Sequence, residues 1–563
     1  MTPNEACYQY VNVMGGKNMM KSLSKYADIV LKNGNVITVD KENRICEAVA
    51  IKGNKIVYVG NDRDVVEWID GQTKIIDLKG RSLLPGFIDS HLHLGMRGLN
   101  AAVVIDCNSD DIRSIKCIQE KIKKTAENMP KGVWIKATGY EQSKLIEKRH
   151  PTRDDLDEVA PYNPVQLTRC CLHMGVYNTK ALEIAEITGP ELFAPGEVVV
   201  DNNGRMTGLL KERACTYMWK KVVYTEEEYL KAFKAANDLF LSYGITSIHD
   251  AGFYGEDTIG LFQKAYEENV IKVRMYHLLY NAYGKKETID WISNWISTGI
   301  RGGLGNNHFK LGHVKILLDG SSSGPSCSTK LPYSHDASVK GIQLYTQEEA
   351  SEIIIKAHNA GYNITAHAVG DAAVEIVVTA IEQAMKQNPR SCRHRIEHCA
   401  LTDEELLNRI AKAGIVVISN PGFFNENAEA YVHYYGERVN YMFPLKSYRE
   451  KGIVTALGSD APVIEANPMI GLYSAIERAD KRSGVVAGEN QKIELMDAIR
   501  MYTYNGAYAS CEENIKGSIE LGKLADLVIL TENILLTPVD KIKNIKVDMT
   551  IIDGEIVFER MRM

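Results

Sequence analysis

A chain of 563 residues is too long for a single hydrophobic core, so more than one domain is expected. Sixty-six basic and seventy-two acidic side chains leave a net charge of −6 with no sustained block of either sign, which excludes a nucleic-acid-binding stripe and a polybasic membrane anchor. No window approaches the roughly twenty apolar residues of a membrane span, and eleven cysteines without a CxxC pair speak for a reducing cytoplasm rather than a disulfide framework.

Residues 1–25 read as a loose N-terminal extension without a secretory signal, with Met19 and Met20 as alternative starts. From 26 to 84 the grammar is β-hairpin: ADIVLKNGNVITVD, AVAIKGNKIVYVG and TKIIDLKGRSLLPG are β-branched runs broken at NG, GN and KG turns. The same grammar returns within 515–563, in ADLVILTEN and MTIIDGEIVFER. Isolated hairpins are marginal in water, so the two ends are expected to pair into one small β-sandwich.

Between them, residues 85–514 alternate strand and helix. Candidate strands are FIDSHLH (87–93), GITSIHDA (244–251), VRMYHLLY (273–280), HVKILLDG (313–320), NITAHAVG (363–370), HRIEHC (394–399), GIVVIS (414–419) and GIVTALGSD (452–460). Eight strands with intervening helices predict a (β/α)8 TIM-like barrel, an α/β fold. The stretch from about 100 to 225 is too long for a crossover and carries its own strand-like runs, GVWIKATGY and PVQLTRCC; it is expected to be an inserted subdomain after barrel strand 1.

In such a barrel the active site lies at the C-terminal ends of the strands. His91 and His93, two residues apart, point to one side of the first strand. Lys315, His367, His398 and Asp460 follow on the fourth, fifth, sixth and eighth strands. Each alone has a plainer account: a hydrogen-bonded core histidine, a salt-bridged lysine, or a turn aspartate. Six together at strand ends, where an unpaired polar group is costly, point to a metal site.

The set PGFIDSHLH, VKILLDGSSS, AHAVGDAA, RHRIEHC and GSDAPV, closing with GSIELGKLADLVIL, resembles the amidohydrolase superfamily, and within it the branch containing N-substituted formamide deformylases. The resemblance implies two divalent cations, zinc first and manganese, iron or cobalt as alternatives. It also implies a CO2-derived carbamate on Lys315 bridging them. His91, His93 and Asp460 would hold one ion, His367 and His398 the other, with Asp460 moving the proton. His173, in CCLHMGVYNTKAL, matches a family segment that reaches the substrate. Leu172, where glycine commonly stands, and Asn420–Pro421, where glutamine–proline is usual, are departures expected to shape a pocket.

Secondary positions keep two readings. Asp89 orients a ligand histidine or caps a turn, and Asp371 supports the site or opens the next helix, the helix being favoured. His249 and Asp250 line a pocket or end a strand. His394 is expected to share a face with His398, while Arg395 and Glu397 face the helices as an ion pair. The tyrosine-rich segment AYVHYYGERVNY lines the mouth or, the favoured account, packs structurally.

The activity implied is hydrolysis of a non-peptide C–N bond in a small N-formyl, N-acyl or cyclic amide, with a small-molecule partner, no nucleic acid and no membrane; a homodimer is compatible. Heterocycle deamination and ester or lactone hydrolysis are the alternatives, and a non-catalytic binding protein ranks last.

Overall fold

The computed structural model describes residues 25–561 except 110, 143, 170–173, 194, 253–257 and 281–284. The rest of the N-terminal extension, residues 1–24, lies outside the described residues. The chain divides into two compact units, one comprising Met1–His93 with Asn237–Met563, the other Leu94–Ala236.

In the first unit eight parallel strands lie side by side in chain order. They are β1 (Phe87–Leu92), β2 (Ile245–Asp250), β3 (Arg274–Leu279), β4 (Phe309–Leu317), β5 (Ile364–Ala368), β6 (Arg395–His398), β7 (Val416–Ser419) and β8 (Thr455–Leu457). Every candidate barrel strand is present, and the fold class is a TIM-like barrel as expected. β4 begins four residues before its predicted start because Gly312 reads as a break. In the structure that glycine is a close approach: a Cβ there would lie 2.4 Å from the Tyr276 ring.

The sheet closes just past the end of β8. The Asp460 amide donates to the His91 carbonyl at 2.7 Å, and the His93 amide donates to the Ala461 carbonyl at 2.8 Å. Gly458 permits this approach, since a Cβ there would sit 2.6 Å from the His91 backbone nitrogen.

The helices that follow the strands are amphipathic and capped. In Gln347–Asn359, Thr346 and Glu349 form a reciprocal capping box, and Ala350, Ile353, Ile354 and Ala357 fall on one buried face. Among the described residues no helix is long and apolar enough to cross a membrane.

The two chain ends share one β-domain. Leu527–Leu530 runs antiparallel to Ser82–Pro85, which itself pairs with Asn35–Ile37. A second sheet is built from Lys55–Gly60, Ala48–Lys52, Ile29–Lys32 and Lys74–Asp77. Leu31, Val49, Leu83, Leu527, Ile529 and Ile551 are wholly buried in the core of this domain. A buried ion pair ties it to the barrel: Arg274 on β3 donates to both carboxylate oxygens of Asp526, at 2.6 and 2.9 Å, and to Asp553 at 2.7 Å.

The second unit carries a six-stranded mixed sheet. Ile135–Tyr140 and Val165–Arg169 match the runs read from sequence. Ile105–Asp106, Met174–Tyr177 and Val198–Val200 are too short to show a two-residue alternation, and Met206–Lys211 carries Gly208 at its centre.

Removing one partner of a buried ion pair leaves the other charge uncompensated, at a cost of about 3–5 kcal/mol. Asp526→Ala is therefore expected to lower the urea unfolding midpoint markedly while the strand content seen by circular dichroism at zero denaturant persists. A midpoint equal to that of the parent protein would refute this account of the clamp.

Candidate metal centre

All six side chains singled out from the sequence lie in the barrel-containing unit, at or just beyond the C-terminal ends of β1, β4, β5, β6 and β8. His91, Lys315 and His398 are buried, whereas His93, His367 and Asp460 keep 13–17% of their side chains accessible. The cluster thus has a closed floor and an open side. His91 Nε2 and His93 Nε2 both lie 3.5 Å from Asp460 Oδ1, and these three groups converge closely enough to share one cation. The His398 ring stands 4.7 Å from His91 and 4.6 Å from His367, centroid to centroid. Lys315 Nζ lies 5.7 Å from the centre of the Tyr280 ring.

Each histidine has one nitrogen tied to the protein. His91 Nδ1 bonds the Glu397 carboxylate, His93 Nδ1 the Gly252 carbonyl at 2.9 Å, and His398 Nδ1 the Asn420 side-chain oxygen at 2.8 Å. His367 uses Nε2 instead, 3.2 Å from the Gly320 carbonyl. An acceptor at one ring nitrogen fixes the proton there and leaves a lone pair on the other. Each ring is thereby oriented, with its other nitrogen left for the cluster.

Electrostatics supports the same protonation. Burial pushes His91 and His367 well below the usual histidine range, and it lowers His398. The nearby Lys315 lowers all three further. Burial also lowers the Lys315 ammonium, although Glu397, Asp460 and Asp250 oppose it. For Asp460, burial disfavours ionisation, but the contact with His93 and the adjacent His91 and His398 outweigh it and hold the carboxyl below its ordinary range. Neutral imidazoles, an ionised aspartate and a lysine biased toward the free amine make a mixed nitrogen and oxygen donor set that fits a divalent cation such as zinc.

The reading of β6 is corrected by the structure. Arg395 and Glu397 do form an ion pair, at 2.8 Å, but they face the barrel interior rather than the helices. Arg395 also reaches His249 Nδ1 at 3.0 Å and the Ser90 carbonyl at 3.1 Å. Strict alternation would then send His398 outward; a left-handed backbone at His398 and Cys399, φ 68° and 44°, turns it back to the cluster. His394 does not share the site. Ile364 N donates to its Nδ1, its Nε2 pairs with His358 Nδ1 at 2.9 Å, and His358 Nε2 donates to the Asn388 carbonyl. His358, His394 and the adjacent Cys392 could geometrically surround an ion, but every ring nitrogen there is already used.

Other positions resolve individually. Asp89 accepts from the backbone amides of His91 and Ser459, so it fastens the seam between β1 and the end of β8 rather than orienting an imidazole. Asp371 opens the helix Asp371–Gln387 and accepts from Lys330 N. Asp250 bonds His277 Nδ1 and Gly252 N, and His249 is wholly buried, so both belong to the barrel wall. Tyr431 and Tyr435 are buried and bonded to Ser322, which makes them packing residues. His173 and Leu172 lie outside the described residues.

Three supporting residues escaped the sequence reading. Glu397, which alternation alone sends toward the helices, lies inside and bonds His91 Nδ1. Asn420, read as a pocket residue, is fully buried and holds His398 while donating to the Gly458 carbonyl at 2.9 Å. Asp319 accepts from the amides of Ser328, Val369 and Gly370 and lies 3.5 Å from His367, fixing the loops after β4 and β5. Its position in LLDGSSS, an acid at a strand end before a small-residue loop, was the available signal.

A family model described as the amidohydrolase family matches residues 74–558. An N-substituted formamide deformylase from Arthrobacter pascens is 28% identical over 559 residues, covering 96% of this chain and 99% of the relative. The putative amidohydrolase YtcJ from Bacillus subtilis is 30% identical over 541 residues, covering 94% and 98%. Among solved structures, an uncharacterized metal-dependent hydrolase from Pyrococcus horikoshii superposes with a TM-score of 0.76 at 24% identity, over 91% of this chain and 99% of that one.

Buried neutral histidines away from the cluster make acid sensitivity predictable. Burial pushes His313 and His394 down to about 3 from 6.5. The unfolded chain binds those protons below its ordinary histidine pKa and the folded chain does not, so stability is full above pH 6.5 and falls on acidification toward about 3. The expected slope is about 1.4 kcal/mol per pH unit for each histidine, measured as unfolding free energy against pH. A His394→Gln variant should flatten that slope; an unchanged slope would contradict its neutral, buried state.

Proposed function

Because the chain belongs to the amidohydrolase family, and is accordingly a metal-dependent hydrolase of carbon–nitrogen bonds, we propose that it cleaves the amide bond of a small N-formyl, N-acyl or cyclic amide at a centre of two divalent cations. The observation that carries this reading is the array of four oriented imidazoles that converges with Asp460. His91, His93 and Asp460 would hold one ion and His367 and His398 the other. Zinc suits the donor set best, with manganese, iron and cobalt as alternatives. Lys315, whose ammonium burial disfavours, would add its Nζ to CO2 and lose a proton, and the resulting carbamate would serve both ions as an anionic oxygen donor. When bound, such ions supply hydroxide at neutral pH and polarise a carbonyl.

The chain's own groups do the remaining work. Asp460, ionised and partly accessible, takes the proton of the attacking water and passes it to the leaving nitrogen. His173 is proposed to meet the substrate oxygen. The deformylase relative supports formamides as the first substrates to examine. The described cysteines are all free, in keeping with a cytoplasmic location.

Ester or lactone hydrolysis uses the same attack and is the second reading. A deaminase with a single ion is disfavoured by Lys315 on β4, which such a site does not need.

Elemental mass spectrometry of purified protein is expected to give close to two divalent ions per chain. Asp460→Asn should retain the fold and lose about 10²–10⁴ in kcat toward formamides or N-acyl amines, the range for loss of a general acid–base group. One ion per chain after metal and bicarbonate loading, together with ammonia release from amino-heterocycles, would replace this reading with the deaminase.

A further inference from the structure

The supports behind the histidines are unequal. Behind His91 stands a carboxylate: Glu397 Oε1 is filled by Arg395 and the Thr365 hydroxyl, which leaves Oε2 to His91 Nδ1 alone. Behind His398 stands a neutral amide, Asn420, and behind His93 a backbone carbonyl; behind His367 stands the Gly320 carbonyl at 3.2 Å, with the Asp319 carboxylate farther off at 3.5 Å and already accepting three backbone amides. Glu397 is wholly buried, as is Asn420. An anionic acceptor draws the Nδ1 proton toward itself and raises the basicity of the opposite nitrogen more than a neutral acceptor does. Asp460 adds a second anion at the same end, 3.5 Å from the free nitrogens of His91 and His93.

We infer that Glu397 and Asn420 are positioning residues that make the two ends of the cluster unequal, so that the His91–His93–Asp460 end takes its cation first and more tightly, and the His367–His398 end second. The inference rests on the two-ion reading above. Glu397 also restrains β1 from below, because its partner Arg395 holds the Ser90 carbonyl between Asp89 and His91. The first end is therefore held at both ring and backbone. At the second end, Asn420 has a divided task, since its amide nitrogen is committed to Gly458 and only its oxygen serves His398.

The test is stepwise zinc binding by metal-stripped full-length protein, measured against a chromophoric chelator in bicarbonate buffer, with no substrate involved. The parent protein is expected to show two separated steps. Glu397→Gln, which keeps an acceptor for His91 but removes the charge, should weaken the first step about 10–100-fold and leave the second in place. Asn420→Ala should weaken the second step and spare the first. The Asn420 variant decides the matter if Glu397→Gln fails to fold, because it leaves the Arg395 pair intact. Two steps that respond equally to either variant, or to neither, would overturn the inference while leaving the two-ion reading standing. A single equivalent of zinc in the parent protein would overturn the two-ion reading itself, and the inference with it.

Discussion

The barrel closes where β1 meets the chain end of β8, and that seam carries three of the six candidate ligands. The His91 carbonyl and His93 amide that complete the closure belong to the same residues whose imidazoles face Asp460, and the amide of Asp460 supplies one of the two closing bonds. Gly458 is required because the His91 backbone occupies the space of a side chain. Asp89 fastens the same joint by taking the amides of His91 and Ser459. Folding the last strand onto the first is thus the event that assembles the aspartate with its histidines, and the geometry of the site inherits the rigidity of the sheet.

That rigidity has an electrostatic cost. Ionised groups in a barrel interior are tolerated when they are paired and hydrogen-bonded. Arg395 and Glu397, both wholly buried, meet this condition by sharing Thr365, His249, Ser90 and His91 among them. His91, His367 and His398 meet it differently, through burial that disfavours their charged forms. Burial that would penalise an imidazolium is what keeps the lone pairs available near neutral pH, so the desolvation that destabilises the charged forms prepares the donors.

The convergence of the candidate ligands was legible in the sequence because strand-end residues in an alternating strand–helix pattern have few places to go. His91, His93, Lys315, His367, His398 and Asp460 follow from the strand count and the two-residue period. What supports them was less legible, because the period fails at strand ends. On β6 the left-handed backbone at His398 puts it on the same side as Glu397, one residue away, and an alternation argument must misplace one of the two. Asn420 shows a second limit: a residue just past β7 reads equally as pocket or support, and only its distances to His398 and Gly458 decide. The β-domain was readable from both ends because NG, GN and KG turns mark hairpins locally. The clamp from Arg274 to Asp526 was not, since nothing local announces a pair 252 residues apart.

In the proposed site, lysine carboxylation and cation binding are linked by charge. The free amine of Lys315 is favoured by burial, yet Glu397, Asp460 and Asp250 all favour the ammonium. Conversion to a carbamate replaces a group those anions attract with one they repel. Without cations, the modified lysine would add a further negative charge to a buried cluster that already holds ionised Asp460 and Glu397. Arg395 is a compensating charge felt at Lys315, but it is committed to Glu397. An anion on Lys315 would therefore be stable only with cations present, and the second cation, at the end whose nearby carboxylate, Asp319, is committed to three backbone amides, would gain most from it. In that proposed site, modification and loading of the weaker end would reinforce one another by the same Coulomb energy.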